Sequence, residues 1–327
     1  MRKTRSFLTL AILSLFAASA ATELVKAENY PTRPVKVIVP YPPGGGNDII
    51  ARILAQKLSQ TGGQFYVENL AGAGGTIGTG KAADAPADGH TIVVVNPDFV
   101  VQAIVKAKVP YDPFKSFVPV ILVAAAPESI SIHPSLPVTN IKELIALLKS
   151  NPGRYSYATP GYGGSPHLAG ERLFKLTYGV DVVHVPFQGS APAVMSTIAG
   201  QTAILPFGLA LVAPHIKDGK LRALAVADSK RSKLLPDVPT LMEAGVPPGH
   251  EVGFWIGLLA PAGTRQELID QLNQRIARIM SLPELKERLD MLGFEPMVTT
   301  PAEFGSHIAA ESAQWSRVVR EAHIRID

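Results

Sequence analysis

Short β-branched runs that stop at glycine-rich loops and reopen as helices set the limits on what this chain can fold into. Val35 to Val39 is one such run. It ends at Pro40, and Tyr41-Pro-Pro-Gly-Gly-Gly-Asn-Asp48 leads into a helical pattern from Asn47 to Leu58. The punctuation then repeats, with a strand over Gln64 to Glu68, a loop Ala71-Gly-Ala-Gly-Gly75, a helix to Ala85 and a strand over Thr91 to Val95. Alternation of this kind predicts a mostly parallel sheet with helices on both faces.

Further along, Val118 to Ala126 is apolar, Ser129 to Ile132 reads as a strand, and Asn140 with Glu143 opens a helix with an N-cap and a capping-box acid. Three more strand and helix units follow. Tyr155 to Ala158 precedes a helix from Ser165, Val182 to Val185 one from Ser190, and Ala203 to Pro206 one near Leu209; Leu221 to Ala227 closes the series as a strand. Phe254 to Ala260 is again extended, and beyond it Thr264 with Glu267, Ser281 with Glu284, and Thr300-Pro301 with Glu303 mark three helix starts with no strand between them. Those helices must pack on a sheet already built. The expectation is an α/β protein of two lobes, joined by two crossings near residues 118–128 and 250–260, with the C-terminal helices returning to the first lobe. The first lobe then comprises residues 28–122 and 256–327, the second 123–255. A ligand belongs between them, where loops at the carboxyl ends of both sheets face each other.

The N-terminus sets the compartment. Met1-Arg-Lys-Thr-Arg5 is a basic n-region, Phe7 to Ala18 an apolar run of secretory length, and Ala18-Ser19-Ala20 a small-residue cleavage pattern, giving a signal peptide over residues 1–20. Val25-Lys26-Ala27 offers a second cleavage site, so the cut falls after Ala20 or Ala27. The apolar run is too short to span a bilayer, which makes the mature chain a freely diffusing periplasmic protein. With no cysteine at all, that exported chain has neither disulfides nor a lipid-modified anchor and rests on its hydrophobic core. Arg2, Lys3 and Arg5 leave with the signal, so the formal charge of +4 falls to about +1. No basic block argues for nucleic acid.

Glycine loops invite phosphate and cofactor readings. Neither YPPGGGNDII nor AGAGGTIGTGKA has the Gly-Lys-Ser/Thr ending of a nucleotide-triphosphate loop. Gly78-Thr-Gly80-Lys-Ala-Ala83 matches a relaxed dinucleotide fingerprint, but it begins inside a helix and no acid ends the next strand at Val95-Asn96. No cofactor is expected. Gly163-Gly164-Ser165-Pro166-His167 is not a nucleophile elbow, and Ser165 before Pro166 reads as an N-cap followed by proline at the first helical position. His167 and Glu171, one turn apart, could be half of a metal site, but no His-Glu-x-x-His exists and no metal is expected. Catalytic residues are expected to be none. Two readings of the glycines stay open: a flexible turn, or room for a ligand to approach the backbone.

On the second reading, Gly44 to Asp48, Gly72 to Thr76 and Gly161 to Ser165 each place flexible backbone before a helix start. Three such loops would hold a carboxylate through N–H groups and hydroxyls without an arginine. Asp48 then reads as a helix-start residue favoured by the dipole.

A series of blocks carries a resemblance across nearly the whole mature chain: PVKVIVPYPPGGGNDIIARILAQKL, ENLAGAGGTIGTGKAADAPADGHTI, HPSLPVTNIKELIALLKSNPG, SPHLAGERLF, VHVPFQGSAPAV, PHIKDGKLRALAVADSKRSKLLPDVPTLMEAG and WIGLLAPAGT. It resembles the Bug family, the extracytoplasmic solute receptors of tripartite tricarboxylate transporters. The resemblance implies a two-lobed periplasmic binding protein of the type II-like, Venus-flytrap kind. It also implies a monomer that captures a small organic carboxylate and presents a closed face to the membrane subunits of a transporter. Carried over by position, the first-lobe contacts are Tyr41, Gly44, Gly45, Asp48, Gly74 and Thr76, and the second-lobe contacts are Gly164, Ser165, His167, Phe187, Gln188, Ser190 and Phe207. The alternatives are an orphan receptor feeding a sensor and a secreted enzyme using Ser165 and His167.

Departures from the family pattern bear on the ligand. Pro160-Gly-Tyr-Gly-Gly-Ser-Pro166 stands where many relatives have serines, Phe187-Gln-Gly189 where they often have Tyr-Lys-Gly, and Ala203 where an aspartate is common. With no acid in Leu205 to Gly208 either, an ammonium group finds no partner, which disfavours an amino acid. The expectation is a carboxylate with an apolar or aromatic body, packed near Tyr41, Phe99, Tyr162, Phe187 or Phe207.

Overall fold

Three parallel strands begin the fold: β1 (Val35–Val39), β2 (Phe65–Asn69) and β3 (Thr91–Val95), in the order β2-β1-β3. Val35, Val37 and Val39 are all buried, because helices cover the sheet on that face. The computed structural model describes residues 30–250, 253–322 and 324; the signal segment and its cleavage sites lie outside the described residues. After β1 comes α1 (Gly46–Gln60), after β2 a 3-10 turn (Ala73–Gly75) and α2 (Thr76–Ala83), and after β3 the short α3 (Asp98–Val105).

Two long antiparallel strands then run through the middle of the molecule. β4 (Phe117–Ile132) pairs with β9 (Gly253–Pro261) along Phe117–Pro127, and β9 in turn pairs with β3. From Glu128 onward β4 changes partners, to β7 (Ile204–Gly208) on one side and β8 (Arg222–Val226) on the other. The second lobe continues from β7 through β5 (Ser156–Thr159) to β6 (Val183–Pro186), both parallel. Its helices are α4 (Ile141–Ser150), α5 (Ser165–Gly170, continued by a π-helical turn Glu171–Thr177), α6 (Ser190–Ile198) and α7 (Leu209–Lys217).

The sequence suggests two extended pieces where the structure has one strand. Pro127 has no N–H to give, so Pro127-Glu128 reads as a break, yet it falls where β4 passes from β9 to β7 and the ladder changes partners anyway. The sheet is also less parallel than expected, since both central strands run against their neighbours.

The C-terminal helices are α8 (Gln266–Met280), α9 (Pro283–Met291) and α10 (Pro301–Ala322). Ile269, Leu272, Ile276 and Ile279 recur at helical spacing and bury one face of α8 against the core that holds β1 and α1. A two-residue strand β10 (Glu295–Pro296) interrupts the helical run and pairs with β4. Only one of the three C-terminal capping boxes forms. Thr300 and Glu303 bond reciprocally, whereas Thr264 Oγ1 donates back to Pro261 O at 2.7 Å and Ser281 Oγ to Arg278 O at 2.7 Å. α10 packs over α3 and the π-helical turn, with Trp315 fully buried in a core shared with Phe99, Ile130 and Leu168. No helix among the described residues is long and apolar enough to cross a membrane.

Candidate ligand-binding cleft

The first-lobe loops meet at the carboxyl ends of β1, β2 and β3, and asparagines at two of those ends tie them together. Asn69 Nδ2 donates to Tyr41 O at 3.1 Å and to Asp48 Oδ1 at 2.9 Å. Asn96 Oδ1 accepts the Tyr41 hydroxyl at 2.7 Å and the Asp98 amide at 2.9 Å. Burial and the nearby Asp98 charge push the Tyr41 hydroxyl far above the ordinary tyrosine value, so it stays a donor.

Asp48 is buried in the first turn of α1, where it accepts the Gly44 amide at 2.9 Å and Arg52 Nε at 3.0 Å. Burial alone would raise its carboxyl; hydrogen bonds from Arg52, the Gly44 amide and Asn69 outweigh that and hold it below the usual carboxylate range. Asp48 is therefore more than a dipole partner, because it shapes the glycine loop. By the same bond, the Gly44 amide, named as a ligand contact from the sequence, is committed to Asp48 in this conformation. Gly45 remains half-buried, with open space where a Cβ would sit. The Ile49 amide donates to Gly45 O at 3.0 Å to open the helical bonding, so the amides before it in α1 form the N-terminal set that a helix leaves for other acceptors.

The second loop is a run of left-handed backbone: Gly72 (φ 138°), Ala73 (49°), Gly74 (68°) and Gly75 (92°). Three of the four are glycine for that reason, while Ala73 is held in a conformation costly for a residue with a Cβ. Its carbonyl is pinned by Thr76 Oγ1 at 3.0 Å and Lys106 Nζ at 2.6 Å. The fingerprint glycines have a packing role within α2, since a Cβ on Gly78 would meet Leu70 O at 2.5 Å and one on Gly80 would meet Pro110 Cγ at 2.5 Å.

Across the cleft, Gly164 is the N-cap of α5 and Ser165 its first residue, so Ser165 is not the cap that the sequence suggests. The cap comes from α3, where Asp98 Oδ1 accepts the Ser165 amide at 2.7 Å. Burial raises the Asp98 carboxyl, and hydrogen bonds from Ser165 offset part of the rise. His167 is buried, and its Nδ1 accepts the Gly163 amide at 3.1 Å. The ring is thus engaged with Gly163, and Nε2 lies 4.0 Å from Glu171 Oε1. It stacks on His184 with centroids 3.9 Å apart, under Tyr162 at 4.7 Å. Burial lowers His167 to about 4 and, with His167 beside it, His184 to about 3, so both imidazoles are neutral at physiological pH. No group of three His, Cys, Asp or Glu among the described residues could hold a metal ion.

The Phe187–Ser190 turn faces the first lobe. A Cβ on Gly189, whose φ is 114°, would lie 3.7 Å from Pro42 Cγ. Phe187 is half-buried, Gln188 exposed, and Ser190 opens α6. Two of the aromatic residues expected in the pocket are core instead. Phe207 is 5% exposed in a cluster with Ala158, Leu205, Leu209 and Val212, and Phe99 is 2% exposed and stacked on Tyr111. Tyr162 is 51% exposed.

Sequence reading passed over Asp98, Gln102 and Glu128. Gln102 is buried and its Nε2 donates to Gly163 O at 3.1 Å. Glu128, on β4 where the lobes meet, is pushed up to about 8 by burial and by the charges of Asp98 and Glu311. A signal was there: Asp98 and Gln102 are the polar positions of an otherwise apolar helix, DFVVQAIV, and they share one face.

Two α/β lobes joined by crossing strands, with glycine loops and helix starts facing each other, define a two-lobed periplasmic binding protein. The chain belongs to the tripartite tricarboxylate transporter family receptors (TctC), whose family model matches residues 50–324. It is 36% identical to protein BugT of Bordetella pertussis (strain Tohama I), over 97% of this chain and 98% of that protein. Among solved structures it is similar to Rpa4515 of R. palustris with adipate, at a TM-score of 0.86 and 35% identity, covering 91% of this chain and 99% of that one. It is also similar to MatC (Rpa3494) from Rhodopseudomonas palustris with bound malate, at a TM-score of 0.82 and 31% identity, covering 89% and 100%.

Proposed function

We propose that this protein is a periplasmic receptor that captures a small organic carboxylate between its lobes and delivers it to the membrane subunits of a tripartite tricarboxylate transporter. The observation that carries the reading is the pair of glycine loops ending in the α1 and α2 starts, side by side at the carboxyl ends of β1 and β2. Helix starts present unpaired amides and a positive dipole end, which suit a carboxylate without a basic side chain. The adipate and malate held by the two structural relatives support the same ligand class.

In this reading Gly45, Gly74, Thr76 and Tyr41 line the first-lobe side, and Tyr162, Gly164, Ser165 and the Phe187–Ser190 turn the second. The lobes divide within β4 and β9, near residues 118–128 and 250–260. The protein carries no chemistry of its own: His167 engages Gly163, which argues against the enzyme reading through Ser165 and His167. The body of the ligand is apolar, with Tyr162 and Phe187 as the aromatic contacts.

The test is a thermal-shift screen of the chain from Ala21 onward against aliphatic, hydroxy, amino and aromatic mono- and dicarboxylates. A ligand at 100 times its Kd stabilises the fold by about 2.7 kcal/mol, an easily read shift. A selective shift with one class supports the reading, and no shift with any carboxylate on folded protein overturns it.

A further inference from the structure

α3 stands at the border between the lobes. It follows β3 of the first sheet, yet Asp98 and Gln102, one helical turn apart on the same face, both reach the Gly163–Ser165 loop of the second. The acceptor Asp98 Oδ1 takes the Ser165 amide at 2.7 Å, and the donor Gln102 Nε2 meets the Gly163 carbonyl at 3.1 Å. One acceptor and one donor thus read one amide and one carbonyl of the same loop, so the match has a fixed register. The Gln102 amide also lies flat against the first-lobe glycine loop, where a Cβ on Gly74 would come 2.8 Å from its Cδ. Its side chain thus bridges the two glycine loops.

We propose that α3 is the latch of the closed receptor: Asp98 and Gln102 are positioning residues that clamp the Gly163–Ser165 loop, and with it the start of α5, over the bound solute. This rests on the receptor reading only in taking lobe closure as the capturing step.

The latch is built to release. Gln102 is 1% exposed, and the Gly163 carbonyl, which can only accept, fixes which end of its amide is the donor. Its Oε1 is left buried without a partner, a cost that opening the cleft to water removes. Around Asp98 the hydroxyls of Tyr41 and Tyr111 stay neutral, and Glu128 on β4, beside Glu311 of α10, keeps its proton up to about 8, so none of them adds a charge to the clamp. Closure therefore gains two directed hydrogen bonds against one buried acceptor left without a partner, and the closed form is held without being locked.

The chain has no cysteine, so Gln60→Cys on α1 and Lys149→Cys on α4, both exposed, give a clean pair for spin labels on opposite lobes. Distances are measured by pulsed electron resonance in ligand-free protein, so a failure of carboxylate binding leaves this test untouched. In Asp98→Ala/Gln102→Ala the closed-to-open ratio should fall about tenfold or more. Asp98→Asn keeps an acceptor for the Ser165 amide and should retain most of the closed fraction. Gln102→Glu, isosteric but placing an oxygen against Gly163 O, should open the lobes even if the double variant folds poorly. A wild type with no closed fraction, or a Gln102→Glu variant with the wild-type fraction, overturns the assignment.

Discussion

Asp48 accepts the amide of Gly44, four residues earlier, at 2.9 Å, and that bond sets the shape of the first glycine loop. Replacing Asp48 by alanine removes three sets of charge-assisted hydrogen bonds, from Gly44, Arg52 and Asn69. The expected loss is about 2–3 kcal/mol, read as a lower Tm. Because the folded carboxyl is held below its ordinary value, the contribution is present above pH 4 and fades as pH falls through the lower folded value. The wild type should therefore lose stability in strong acid more steeply than Asp48→Ala, as urea titrations at stepped pH will show.

Glu128 has the opposite sign. Its folded carboxyl keeps its proton up to about 8 against an ordinary glutamate value of 4.5, so folding takes up a proton between those values and stability falls as pH rises through that window. Glu128→Gln mimics the protonated form. It should be neutral at pH 4, more stable than wild type by up to about 4 kcal/mol at pH 8, and flatter across the window. A variant less stable than wild type at pH 8 contradicts the assignment.

Phe207 lies in the core cluster with Ala158, Leu205, Leu209 and Val212, so Phe207→Ala should cost about 3–5 kcal/mol of stability and weaken aromatic and short aliphatic acids alike. Tyr162→Ala, at an exposed position, should leave Tm near wild type and selectively weaken aromatic acids. Calorimetry on the two variants separates core from pocket.

Gly45 offers a probe of the clamp with little structural side effect. An added Cβ meets nothing within 4 Å, and the backbone is extended at φ −81°, so Gly45→Ala should fold as wild type. If a carboxylate approaches that backbone, affinity should drop about tenfold or more, whereas Gly78→Ala should cost about 1–3 kcal/mol of stability by overpacking against Leu70 O and Pro40.

The alternation of β-branched runs, glycine loops and helices was enough to read the two-lobed α/β plan, because period and punctuation are local properties of the chain. What it missed is non-local. Pro127 looks like a break until its position between two strand partners is seen, and Thr264 looks like a cap until Pro261 O takes its hydroxyl. The glycine loops were visible, but not that the Gly44 amide is already taken, nor that Phe207 faces the core. Asp98 and Gln102 were visible only as polar residues in an apolar helix; their partners lie more than sixty residues away.

The most direct measurement is a calorimetric titration of the chain from Ala21 onward with the best carboxylate from the screen and with its neutral primary amide. The two share shape and apolar body and differ in charge at the group the glycine loops are proposed to hold. The account predicts that the carboxylate binds and the amide binds at least about a hundredfold more weakly, the loss of a charge held by several hydrogen bonds. Equal affinities would mean that the cleft recognises the body of the solute and that the glycine loops hold no carboxylate.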